Sequence, residues 1–116
     1  MLSHRNRFHG HGSLRYLYQH GKKSRSRDLG LYHIENTKRV HSRFAIVVSK
    51  KVHKSAVKRN RVRRRIYEII RLELENIKKP YDYVITVFTP EVIDLDGEKL
   101  KKQLIELLAK DKLISL

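Results

Sequence analysis

SKKVHKSAVKRNRVRRRIYEIIR, residues Ser49 to Arg71, joins the end of an apolar strand to an amphipathic helix through a dense run of cations. With a helix beginning near Ala56, the residues Val62, Ile66, Ile69, Ile70, Leu74 and Ile77 recur at spacings of three and four and make one apolar stripe. The opposite side carries Asn60, Arg61, Arg64, Arg65, Glu68 and Arg71. One side of this helix is built to dock on a sheet, and the other offers guanidinium groups to a partner.

Five arginines between Arg59 and Arg65, with Lys58 beside them, repel one another. Glu68 lies four residues after Arg64 and three before Arg71, but such pairs contribute only about 0.2–0.5 kcal/mol each. An anionic partner is therefore expected. Arginine outnumbers lysine in the cluster, which suits phosphate, because the planar guanidinium donates two parallel hydrogen bonds. A charge run can also be a solvated helix face; the composition of the whole chain argues against that here.

The chain has 116 residues, the size of one domain spanning 1–116. Lysine and arginine total 27 against 12 acids, a formal charge of +15, and such a bias points to nucleic acid or an anionic membrane. No apolar run approaches the roughly 20 residues of a spanning helix. The opening MLSHRNRFHGHG has no apolar signal-peptide core. Cysteine is absent, so there is no disulfide framework and no thiolate metal site. A cytoplasmic protein with no membrane role is expected.

Upstream, residues 1–12 are too polar to order themselves; flexibility is expected there unless packing or RNA fixes them. Ser13 is a candidate N-cap for a short helix with Leu14, Leu17 and Tyr18 on one face and Gly21 at its end. KKSRSR, from Lys22 to Arg27, reads as a basic loop. Leu29–Glu35 and Arg43–Ser49 read as strands, expected to pair as an antiparallel hairpin across the turn ENTKRVHS. Lys79 and Pro80 stop the long helix, Tyr81–Phe88 reads as a buried strand, and Pro90 ends it. A polar turn at Asp94, Asp96 and Gly97 leads to a last helix with Leu100, Leu104, Leu107 and Leu108 on its apolar face. The expected class is α+β, a small mixed sheet packed with helices, in the order helix, strands, long helix, strand, helix. The strand–helix–strand unit from Phe44 to Phe88 makes its two strands parallel if they share a sheet.

Catalysis by the protein itself would need a converging acid and base or clustered carboxylates. Glu68, Glu73 and Glu75 are strung along a helix, and Asp94 and Asp96 lie in a distant turn. His9 and His11 have no acidic or cysteine partners nearby, so no protein-held metal site is expected. No helix-turn-helix pair precedes the basic helix, which disfavours DNA. Composition alone leaves open a ribosomal or general structured-RNA-binding protein.

The segment VVSKKVHKSAVKRNRVRRRIYEIIR resembles the signature of the bacterial ribonuclease P protein subunit, in which a strand ending in Ser-Lys-Lys runs into a helix opened by Arg-Asn-Arg. The flanks agree in order and spacing: NRF at 6–8, a short helix ending in HG at 20–21, Leu31 and Tyr32 in a strand, and YDYVI at 81–85. The resemblance implies an α+β fold with a left-handed crossover in the strand–helix–strand unit, where general rules favour a right-handed one. It implies an RNA catalyst, Mg²⁺ bound mainly by that RNA, and removal of the 5′ leader from precursor tRNA, with no catalytic residue in the protein. Partners implied are the catalytic ribonuclease P RNA and precursor tRNA, with no obligate protein partner. By position, Lys50, Lys51, Arg59, Asn60, Arg61, Arg64 and Arg65 match the family's contacts to the catalytic RNA. Leu14, Tyr18 and Tyr32 match the cleft that receives single-stranded leader. Leu14 stands where the family commonly has Phe, and His53 where it commonly has Gly. As isolated residues, Tyr18 and Tyr32 also fit plain core or rim positions, and Leu14 and Leu17 fit a core.

Overall fold

Apolar strands with β-branched and aromatic residues pair wherever their buried faces match, and here they do not pair in chain order. The computed structural model describes residues 3–8 and 11–115, apart from the side chains of residues 4, 11 and 13. Strands β1 (Lys22–Arg25), β2 (Leu29–Glu35), β3 (Arg43–Val48) and β4 (Tyr81–Val87) form one sheet in the order β1-β2-β4-β3. β1 with β2 and β2 with β4 are antiparallel, and β3 with β4 is parallel. The expected hairpin of β2 with β3 is thus replaced. β4 lies between them, because its strand is buried on both faces and takes the centre, leaving β3 at an edge. The hairpin partner of β2 is β1, part of the basic run read as a loop; an edge strand can be all polar because its pattern reports little burial.

Alternation sorts the side chains to two faces. Leu29, Leu31, Phe44, Ile46, Val48, Tyr83, Ile85 and Val87 face the main core, covered by α2 (Ala56–Glu73) and α3 (Gly97–Lys110). Val62, Ile66 and Ile70 are the buried residues of α2, and Leu100, Leu104, Leu107 and Leu108 those of α3, as the spacings predict. Burying each aliphatic side chain stabilises by about 1.5–3 kcal/mol. α2 starts at Ala56, with the Ser55 hydroxyl accepting from the Lys58 N–H. It ends earlier than the stripe suggests: a 3-10 turn at Leu74–Asn76 follows, and Ile77 is extended and bridges Ile114. Backbone bonds from Lys78 to Leu113 and from Ser115 to Asn76 draw the chain out of the helix.

Helix α1 (His11–His20) lies on the other face, against β2 and β4, with Leu17 fully buried. It begins two residues before Ser13, so that residue is inside the helix and not its cap; the Ser13 and His11 side chains, and all of His9, lie outside the described residues. Gly21 ends it: its N–H reaches the Leu17 carbonyl at 2.8 Å, and a Cβ there would stand 2.6 Å from the same oxygen. Near the amino end, packing fixes the polar chain. Asn6 is buried and donates to the Ser42 carbonyl at 2.8 Å, and Arg7 bridges Phe44 beside β3. Arg43 pairs bidentately with Asp82 at 2.9 and 2.7 Å, and its guanidinium lies 4.4 Å from the Phe8 ring centre.

Candidate nucleic-acid interface

Parallel pairing of β3 and β4 brings their carboxyl ends together, with Val48 opposite Val87. Ligands commonly bind beyond such ends. The chain leaves β3 through Lys50 and Lys51, both exposed, and is re-anchored by buried Val52. At the next turn the Ser55 N–H donates to His53 Nδ1 at 3.0 Å. His53 therefore shapes the entry to α2 with its ring, a role that a glycine fills by backbone freedom alone.

The first turn of α2 holds no acid. Its free N–H groups and partial positive charge stand beside Lys58 and Arg59, so two sources of positive potential add at one place and favour a phosphate. The residues expected here do not act alike. Asn60, Arg61 and Arg64 are exposed. Asn60 Oδ1 also accepts from Arg63 Nη1. Arg59 is half-buried, and its Nε finds no partner among the described residues. Arg65 turns back to the protein: Nη1 donates to the Val92 and Ile93 carbonyls at 3.3 and 3.2 Å, and Nη2 to the Leu95 carbonyl. It clamps the 3-10 turn at Pro90–Asp94, so Nη1 and Nη2 are engaged with the protein while the charge stays half-exposed. Arg71 is paired with Glu68, whose carboxyl that contact holds below its ordinary range.

The second surface is the cleft between α1 and the sheet. Tyr18 is 43 % exposed and Tyr32 half-buried, their rings edge-on at 4.9 Å. Burial is the main cause that pushes the Tyr18 hydroxyl above its ordinary value, opposed by a hydrogen bond with Thr86. Leu14 is half-buried, one turn before Tyr18. By register, Gly30 and Tyr32 of β2, Thr86 of β4, Ala45 and Val47 of β3, and Lys23 and Arg25 of β1 share this face. Phe88, just past β4, lies over Gly30 with 40 % of its surface exposed, and the Arg25 guanidinium sits 4.2 Å above its ring. Sequence reading missed Lys23, Arg25 and Phe88. Their signal was a pair of cations two apart in a basic run, legible only once β1 is known to be a strand.

No group of three or more His, Cys, Asp or Glu side chains stands together among the described residues. No described helix is long and apolar enough to cross a membrane.

The family model Ribonuclease P matches residues 2–112. A ribonuclease P protein component from Clostridium botulinum is 40 % identical over 106 residues, covering 90 % of this chain and 93 % of that protein. One from Synechocystis is 36 % identical over 98 residues, 84 % and 78 % of the two chains. The solved RNase P protein of Staphylococcus aureus superposes with a TM-score of 0.85 at 24 % identity over 95 % of this chain and 98 % of that one. That of Thermotoga maritima gives 0.75 at 24 %, covering 84 % and 89 %.

Proposed function

The chain belongs to the ribonuclease P protein family, and from that premise we propose that its two surfaces bind different RNAs. It is a protein component of the ribonucleoprotein endoribonuclease ribonuclease P, acts in tRNA processing and associates with the ribonuclease P RNA. The exposed cations at the α2 entry, Lys50, Lys51, Arg61 and Arg64, with Arg59 and Asn60, dock on that RNA. Arg65 acts by positioning the Pro90–Asp94 turn beside them. The α1–sheet cleft holds the single-stranded 5′ leader of precursor tRNA, with bases against Tyr18 and Tyr32 and Leu14 as an apolar wall. Base stacking is worth about 1–3 kcal/mol per base and tolerates any sequence, which fits leaders that differ between tRNAs.

One observation carries this reading: a single sheet presents two exposed surfaces of different chemistry, the edge-on Tyr18–Tyr32 pair on its α1 face and the cations Lys50, Lys51, Arg61 and Arg64 where the chain leaves β3 and enters α2. A leader held in the cleft and an RNA docked on the helix entry thus use separate surfaces of one small domain. The side-chain donors this chain offers there are cationic and suit phosphate, so Mg²⁺ is assigned to the RNA, whose phosphates supply its oxygen ligands. Its action is cytoplasmic, on precursor tRNA.

The test is cleavage of 5′-extended precursor tRNA at physiological Mg²⁺ by protein alone, ribonuclease P RNA alone, and both. Efficient release of the mature 5′ end by the combination only is the expected result; cleavage by the protein without RNA overturns it. Tyr32→Ala separates the surfaces: precursor affinity falls about tenfold while mature tRNA binds as before. Equal loss for both substrates removes the leader from the cleft.

A further inference from the structure

Beyond the two tyrosines, the same face of the sheet carries a second opening. A cavity of about 420 Å³ is lined by Lys23, Ser24, Arg25, Gly30, Tyr32 and Phe88. Its size falls in the range of about 300–1,000 Å³ typical of small-ligand sites. Gly30 is its floor, for a reason of space: a Cβ there would stand 2.7 Å from Cε2 and Cζ of Phe88. The missing side chain lets the Phe88 ring bring its Cε2–Cζ edge onto the strand. Opposite Gly30 on β1 stands Arg25, and opposite Tyr32 stands Lys23. The cavity is therefore bounded by the Tyr32 ring on one side, by the Phe88 ring with its Arg25 guanidinium on the other, and by two cations along the outer edge.

Exposed phenylalanine is costly in water, and an arginine stacked on it at 4.2 Å is held by cation–π attraction and dispersion without any anionic partner. Two aromatic walls beside an exposed lysine and an exposed arginine match one chemistry, a flat π system bearing a phosphate. We propose that this cavity is a separate nucleotide site that takes one unpaired nucleotide of RNA, its base between Tyr32 and the Phe88–Arg25 stack and its phosphate against Lys23. Resting on the leader reading above, the site lengthens the aromatic track from Tyr18 and Tyr32 to a third platform at the β1 edge. Tyr32 serves both positions: its ring stands perpendicular to that of Tyr18 at 4.9 Å and also lines the cavity. The site is independent of base-pairing edges, so it discriminates unpaired from paired RNA and favours the larger π faces of purines.

The experiment uses the reconstituted holoenzyme and a set of precursor tRNAs, each with one abasic nucleotide at a different leader position, and reads equilibrium affinity for every position. With the native protein, the abasic change is expected to cost about tenfold at the position in the cavity. In Phe88→Leu, which keeps an apolar side chain but no ring, that one penalty disappears while the penalty at the Tyr18 position remains. Arg25→Gln, on an exposed edge strand, halves or abolishes the same penalty, and thermal unfolding of both variants checks that the fold is intact. An unchanged abasic profile in Phe88→Leu and Arg25→Gln, with Tyr18→Ala still erasing its own position, overturns the cavity and leaves the leader reading standing. A profile flat at every position in the native protein overturns both.

Discussion

Arginines seven residues or fewer apart in one helix have different fates, and the difference is testable. Arg61 is exposed, whereas Arg65 satisfies three backbone carbonyls of the turn after β4. Arg61→Ala is expected to leave thermal stability unchanged and to lower the salt dependence of RNA binding by about one unit of log–log slope. Arg65→Ala leaves those carbonyls short of donors and should cost about 1–3 kcal/mol in a denaturant titration. Asp28 supplies a pH dependence. Burial alone would raise its pKa, but hydrogen bonds from Thr89 at 2.6 Å and Gln103 at 3.1 Å, with the charge of Arg27, bring it below its ordinary 3.8. A carboxyl depressed in the folded state stabilises above its unfolded pKa, and that contribution is lost as pH falls through the folded value. Thermal unfolding followed over roughly pH 2 to 6 should show Asp28→Asn losing stability at the upper end and converging with the native protein at the acid end. The tyrosines of the cleft and the cations at 50, 51, 59 and 61 were legible from motif and resemblance; the commitment of Arg65 was not, because its acceptors lie 27 to 30 residues downstream.

Among the elements, the helices were legible and the sheet order was not. The three-and-four spacing of Val62, Ile66 and Ile70 reports burial on one side of a helix, whatever that helix packs on. Ile66→Ala in this stripe should cost about 2–5 kcal/mol, read as a shift of the denaturation midpoint. Strands carry no such address. β2 and β3 each have the composition of a strand, yet β4 fills the place between them, and period-two alternation says which face a residue takes without saying which neighbour it meets. β1 is the extreme case: an edge strand of Lys22, Lys23, Ser24 and Arg25 has no apolar pattern to read, and only its hydrogen bonds to β2 define it. The end of α2 belongs here too, since the bridge of Ile77 to Ile114 competes with a further helical turn and is invisible along the local sequence.

At the scale of the whole molecule, a net charge of +15 on 116 residues makes assembly with RNA strongly salt-dependent. Raising salt from about 50 to 200 mM should weaken holoenzyme assembly by orders of magnitude, whereas stacking in the cleft, once assembly is enforced by excess RNA, should change far less. A filter-binding series in salt, with native protein and Tyr32→Ala, checks both halves. From the sequence alone came the anionic partner, the α+β class, the helices with their buried stripes, and the cationic helix entry. All of these follow from composition and local periodicity, because charge and amphipathicity are properties of neighbouring residues. Only the tertiary structure decided that β4 lies between β2 and β3, that Arg65 clamps the protein, and that Phe88 and Arg25 close a cavity over Gly30. Each depends on residues far apart in the chain being brought together by burial, and that energy is shared across the core and written into no single stretch.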